Sequence, residues 1–261
     1  MIASRRPRAR LAFALGVATA CAAPEAPEVR QDPPPRPLAD RGTGAAVGGA
    51  TGREKVAARP PDDESASRPL VVFLGDSLTA GYGLAAEEAY PAHVARLLAA
   101  RGLPIEVLNA GVSGDTSAGG RERLGWLLRR EPDVVVVALG ANDGLRALSP
   151  AATEANLRAI LAGVRDAGAR AVLAGMRMPP NYGPDYVRDF EAIYPRLAAE
   201  HEVTLIPFLL AGVAAEAALN LPDGIHPNAR GQELVARTVA DALVALVAEV
   251  SSAPVAGAVT P

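Results

Sequence analysis

The sequence predicts an α/β fold: a single three-layer α/β/α domain built on a five-stranded parallel sheet. Three observations predict it. Five short apolar runs occur, at Leu70–Leu74, Ile105–Leu108, Val134–Leu139, Ala171–Ala174 and Val203–Ile206. Each is nearly continuous rather than alternating, as parallel strands buried on both faces are. Longer segments of helical patterning lie between and after them, near Pro91–Ala100, Gly120–Arg130, Thr153–Ala167, Pro184–Glu200 and Asn228–Val250. Alternating strand and helix implies a doubly wound sheet with right-handed crossovers. Chemistry in such sheets collects at the carboxyl ends of the strands, so residues just after each apolar run are the candidates.

Before the domain, the N-terminus reads as an export signal. Arg5, Arg6, Arg8 and Arg10 precede an apolar stretch, Leu11 to Ala20, too short to span a bilayer. Ala18-Thr19-Ala20-Cys21 follows, and small residues before a lone Cys resemble a bacterial lipobox. Ala18 stands where a lipobox usually has a large aliphatic residue. The alternative is an ordinary signal peptide cut at an A-x-A-like site, after Ala20 or Ala23. The expected organisation is a signal peptide with a lipobox at 1–21, a disordered Pro/Gly-rich linker at 22–68, the folded domain at 69–250 and a disordered tail at 251–261. Gly42-Thr43-Gly44 and Gly48-Gly49 follow no strand and open no helix, which argues against a phosphate loop. The protein is expected to be exported, either periplasmic or held at the outer membrane through a lipidated Cys21.

The first strand leads into Gly75-Asp76-Ser77-Leu78-Thr79-Ala80-Gly81-Tyr82-Gly83. A Ser on a sharp strand-to-helix turn exposes its hydroxyl above the sheet; the alternative for Ser77 is a helix N-cap. Asp76 is expected to be structural in that turn. The second strand leads into Asn109-Ala110-Gly111-Val112-Ser113-Gly114-Asp115-Thr116, where glycine permits close backbone approach to a ligand or merely forms a turn. The third ends in Leu139-Gly140-Ala141-Asn142-Asp143-Gly144; Asn142 offers an amide donor, or caps a turn. Met176, Met178, Pro179, Pro180 and Tyr182 follow the fourth strand and would line an acyl groove or serve ordinary loop packing. Asp223-Gly224-Ile225-His226-Pro227 precedes the last helix. An Asp three residues before a His, across a tight turn, can fix the imidazole tautomer and stabilise an imidazolium. His93 and His201 fall within helical patterns and read as structural.

Composition removes rival chemistries. The chain of 261 residues is 49% hydrophobic and carries a formal net charge of -3, with 4% aromatic residues. Without a basic excess or stacking aromatics, nucleic acid is not an expected partner. One Cys excludes an intrachain disulfide and a thiolate zinc site. Lys55 is the only lysine and lies in the linker, so the domain has no Schiff-base or P-loop lysine. A nucleophile must be Ser, Thr, Asp, Glu or Tyr.

Gly75-Asp76-Ser77, the Gly114 loop, Gly140-Ala141-Asn142-Asp143 and Asp223-Gly224-Ile225-His226-Pro227 occur in the order of the four blocks of the SGNH (GDSL) hydrolases. The resemblance spans about Leu70 to Val247. Each block alone is weak; four in order at the ends of the expected elements are specific. Ser77-Leu78-Thr79-Ala80-Gly81-Tyr82-Gly83, Ser113-Gly114-Asp115-Thr116-Ser117, Asn142-Asp143-Gly144-Leu145-Arg146 and Pro180-Asn181-Tyr182-Gly183 resemble the bacterial periplasmic arylesterase, lysophospholipase and acyl-CoA thioesterase I subgroup. Ala141 departs from that subgroup, which often has a second Gly there.

The resemblance implies a flavodoxin-like sheet and hydrolysis of carboxylic esters or thioesters. Ser77 would be the nucleophile, His226 the base and Asp223 its orienting partner. The oxyanion hole would comprise the N–H groups of Ser77 and Gly114 and the Asn142 amide. Substrate contacts are expected from Asp143, Gly144, Leu145, Met178, Pro180 and Tyr182, with Asp143–Pro150 as a mobile flap. Neither a cofactor nor a metal is required, and a monomer acting on a small-molecule or lipid ester is expected. A carbohydrate O-deacetylase of the same family is the competing enzyme, and a non-catalytic envelope lipoprotein the competing class.

Overall fold

The computed structural model describes residues 68–252. The expected signal peptide, the lipobox at Cys21 and nearly all of the linker and tail lie outside the described residues. β1 (Leu70–Gly75) leads into a single-turn helix, α1 (Ser77–Ala80). Next come α2 (Tyr90–Ala99), β2 (Glu106–Gly111), α3 (Ser117–Leu128) and β3 (Val134–Ala138). A short α4 (Ala141–Leu145) and the longer α5 (Pro150–Asp166) lead to β4 (Arg170–Ala174). After these, α6 (Pro184–Glu191), α7 (Ile193–His201), β5 (Thr204–Ile206) and α8 (Ala229–Ser252) complete the domain.

All strand pairs are parallel, in the order β2-β1-β3-β4-β5. Strand order therefore reverses between β1 and β3, and crevices at such reversals hold ligands. Gly75 pairs with Gly111 on one side and Ala138 on the other, so the segments after β1, β2 and β3 emerge together. One face of the sheet carries α2 packed on α8; the other carries α3, α5 and α7.

Val71–Leu74 and Val134–Val137 are buried throughout, as continuous apolar strands at the centre of a parallel sheet must be. β2 departs from that expectation. It is an edge strand, and Glu106 and Asn109 are exposed. Pro91, Pro150 and Pro184 open helices at first-turn positions, where no N–H is needed. Thr116 caps α3 by accepting from the Gly119 N–H, so that helix begins three residues before the expected Gly120. The single helix expected at Pro184–Glu200 is divided at Ala192. Pro195 is the cause: it has no N–H to give the Glu191 carbonyl, and its ring crowds that turn. α8 continues to Ser252, past the expected end at Val250.

Candidate active site

The end of β1 is packed too tightly for side chains at two positions. A Cβ on Gly75 would come within 1.9 Å of Thr79 Oγ1, and one on Gly111 within 2.2 Å of the Ala80 nitrogen. These glycines let α1 lie directly against the ends of β1 and β2. Asp76 caps α1, accepting the Leu78 N–H at 3.0 Å. From α8, the buried Gln232 amide donates to the Leu78 carbonyl and accepts the Tyr90 N–H. Ser77 is thus the first residue of a helix fixed from both ends. The N-cap alternative falls to Asp76, and the Ser77 hydroxyl is left free for chemistry.

It points at His226, with Oγ 2.9 Å from Nε2. On the other side of the ring, Nδ1 is 2.8 Å from Asp223 Oδ2. The second oxygen, Asp223 Oδ1, accepts the Ile225 and His226 N–H groups. Gly224, at φ 71°, makes this turn with its N–H on the Leu221 carbonyl. The hydrogen bonds from the His226 and Ile225 backbone, joined by the His226 ring, hold the Asp223 carboxyl down at about 2. It is therefore ionised at any working pH, and a carboxylate facing Nδ1 keeps the proton there. Nε2 is left as the acceptor of the Ser77 hydroxyl. Tyr82 lies against the imidazole, with ring centroids 4.4 Å apart.

After β2, Gly114 sits at φ 80° in a turn closed by the Asp115 N–H on the Val112 carbonyl. Its carbonyl accepts from Arg146 at 2.9 Å, which fixes the peptide plane from the outside. Asn142 lies in α4, one residue after Ala141, whose helical backbone accepts a methyl without strain. The Asn142 amide donates to Asp76 Oδ2 at 3.3 Å. Asp76 is almost wholly enclosed, and burial pushes its carboxyl up to about 6 despite the Leu78 N–H. One carboxylate therefore holds both the nucleophile helix and the candidate oxyanion amide.

The expected substrate contacts divide into two groups. Leu145, Met178 and Pro180 line a cavity of about 480 Å³ that also contains Ser77, Asn142 and His226. Asp143, Gly144 and Tyr182 do not line it. The Asp143 carboxyl group turns inward, accepting from the Ser117 N–H and hydroxyl and from Thr153, because buried polar oxygens need hydrogen-bond partners. Gly144 makes room for Met178, whose sulfur would lie 2.2 Å from any added Cβ. Tyr182 donates to the Leu145 carbonyl. The segment Asp143–Pro150, expected as a mobile flap, carries hydrogen bonds from Tyr186 to the Leu148 carbonyl and from Arg146 to the Gly114 carbonyl.

Arg123 was not singled out by sequence. From α3 it donates to the carbonyls of Gly75 and Ala110 and pairs with Asp115 at 2.7 Å. It clamps the strand before Ser77 to the loop that carries Gly114. Four arginines lie between Arg121 and Arg130, and only the fold distinguishes this one. Gln232 was equally silent, and Tyr82 stood within the Ser77–Gly83 run without a sign of its contact with His226.

The model of the GDSL-like lipase/acylhydrolase family matches residues 73–234 of the chain. Esterase TesA of Pseudomonas aeruginosa is 40% identical over 170 residues, covering 65% of this chain and 85% of that protein. The thioesterase 1/protease 1/lysophospholipase L1 of Escherichia coli K12 is 42% identical over 184 residues, covering 70% of this chain and 87% of its own length. Among solved structures, the psychrotrophic esterase EstA from Pseudoalteromonas sp., inhibited by monoethylphosphonate, superposes with a TM-score of 0.64. It is 34% identical and covers 67% of this chain and 96% of that one.

Proposed function

The chain belongs to the GDSL-like lipase/acylhydrolase family, and from that premise we propose that it is a serine esterase hydrolysing carboxylic esters and thioesters of apolar acyl groups. The observation that carries this is the unbroken chain from Ser77 through His226 to Asp223 at the edge of an apolar groove. In the first step Ser77 Oγ attacks the ester carbonyl carbon while His226 Nε2 takes the hydroxyl proton. The carbonyl oxygen becomes an oxyanion, received by the N–H groups of Ser77 and Gly114 and the Asn142 amide. Collapse of the tetrahedral intermediate breaks the bond to the alcohol or thiol, which leaves with the proton from His226. Water, deprotonated by the same imidazole, then attacks the acyl-Ser77 ester and releases the carboxylic acid. Asp223 stabilises the imidazolium in both halves without itself taking a proton.

The groove lined by Leu78, Met176, Met178, Phe208 and Leu210 suits alkyl chains rather than sugar rings. That favours acyl, aryl and lysophospholipid-type esters over carbohydrate acetates. The test is covalent capture. A fluorophosphonate is expected to label one residue, Ser77, at the rate at which p-nitrophenyl butyrate hydrolysis is lost. Labelling elsewhere, or full inactivation without labelling, would refute the assignment. Strict preference for acetyl over butyryl and octanoyl esters would favour the deacetylase.

Export is part of the same proposal. The arginines and apolar run of residues 1–20 support delivery to the periplasm, and Cys21 supports a lipid anchor. Palmitate fed to producing cells is expected to label the protein and not its Cys21→Ser variant; equal labelling would remove the anchor from the proposal.

A further inference from the structure

A second cavity, of about 420 Å³, adjoins the groove at Ser77. Neither Ser77 nor His226 lines it, so it cannot hold the ester bond. Its own boundaries include Ile206, Pro207, Ala211 and Thr238. It shares Arg177, Phe208, Leu210 and Ala214 with the first cavity, and these four residues form the wall between them.

The wall has a fixed half and a movable half. Leu210 and Ala214 belong to one turn, with the Ala214 N–H on the Leu210 carbonyl at 2.9 Å and the preceding Leu209 N–H on Gly175. Leu210 is buried. Arg177 is exposed, and its guanidinium lies over the half-buried Phe208 ring, 5.2 Å from the centroid. A cation resting on an aromatic face is held weakly where water reaches it. An exposed long side chain changes rotamer within nanoseconds and can move its charge into solvent while its stem stays on apolar surface. Opening this half would join the two cavities.

We propose that Arg177 and Phe208 form a gate between the acyl groove and a distal compartment that receives the far end of long acyl chains. The pair would then determine chain-length specificity. The occupant follows from the lining: apart from Arg177 and Thr238, the distal compartment is bounded by apolar or glycine residues. The hollow also opens to solvent along the exposed Pro207, Ala211 and Gly212, and it meets the groove at the four shared residues. The inference rests on the serine esterase proposal.

The test compares kcat/KM for p-nitrophenyl butyrate, octanoate and palmitate, at one fixed detergent concentration, in the wild type, Arg177→Ala, Phe208→Ala and Ala211→Phe. A single methylene in an apolar pocket changes kcat/KM by about tenfold or more, so filling or opening the compartment should move the palmitate-to-butyrate ratio by at least about tenfold. Arg177→Ala and Phe208→Ala are expected to raise that ratio. Ala211→Phe, an exposed position bordering only the distal compartment, is expected to lower it. Unchanged ratios in Arg177→Ala and Ala211→Phe would overturn the gate even if Phe208→Ala fails to fold. A lowered ratio in Arg177→Ala would also overturn it, since Arg177 would then be holding substrate rather than closing a passage. If the wild type hydrolyses none of the three esters, the esterase proposal itself fails; normal butyrate turnover with unmoved ratios refutes the gate alone.

Discussion

Ser77→Ala is expected to lower turnover of p-nitrophenyl butyrate by roughly 10⁴-fold or more, with the thermal unfolding midpoint unchanged. The two halves of this result have separate causes. In the proposed mechanism activity falls because Oγ forms the bond to the acyl carbon, and no other hydroxyl hydrogen-bonds His226 Nε2 among the described residues. Stability holds because Ser77 occupies the first position of α1, where alanine suits a helix, and because the cap is Asp76. His226 loses one neighbour but keeps Asp223 on its other nitrogen. Background hydrolysis should survive through the oxyanion donors, which do not depend on the hydroxyl. Steady-state kinetics beside a melting curve measures both halves, and near-normal turnover in a folded variant would sink Ser77 as nucleophile.

Asn142→Ala should cost about 10²–10³ in kcat with little change in KM, the pattern of a donor that acts mainly in the transition state. Its amide spends one hydrogen on Asp76 Oδ2, leaving the other for an oxyanion. A rise in KM with kcat retained would place Asn142 in ground-state binding instead. Arg123→Met is expected to follow the same split more weakly, roughly tenfold in kcat, because small displacements of aligned groups are costly. It frees the carbonyls of Gly75 and Ala110 and the Asp115 carboxylate together. Stopped-flow measurement of the acylation burst separates the two cases: Arg123→Met should slow acylation while the apparent affinity for ester stays close to wild type.

Much of the architecture was legible because its signals are local. An apolar run of five or six residues needs no distant partner to read as a buried strand, and Val71–Leu74 and Val134–Val137 became the centre of the sheet. The Asp223–His226 pairing was equally local, three residues across one turn. α1 and α4 were not legible: helices of four and five residues are too short for a periodic pattern. The break in the 184–201 segment carried a visible cause, Pro195, which helical patterning alone overlooked.

The sequence by itself determined the parallel α/β class, the order of the chemical segments and their positions at strand ends or before the last helix. It did so because hydrophobic period, glycine and turn residues act within a few positions of where they stand. Only the tertiary structure decided which way each side chain faces. Ser77 and His226 meet across 149 residues of chain, and the Asp143 carboxyl group accepts from Ser117, 26 residues away. A buried polar group turns toward whichever partners the fold assembles around it, and those partners come from segments remote in sequence.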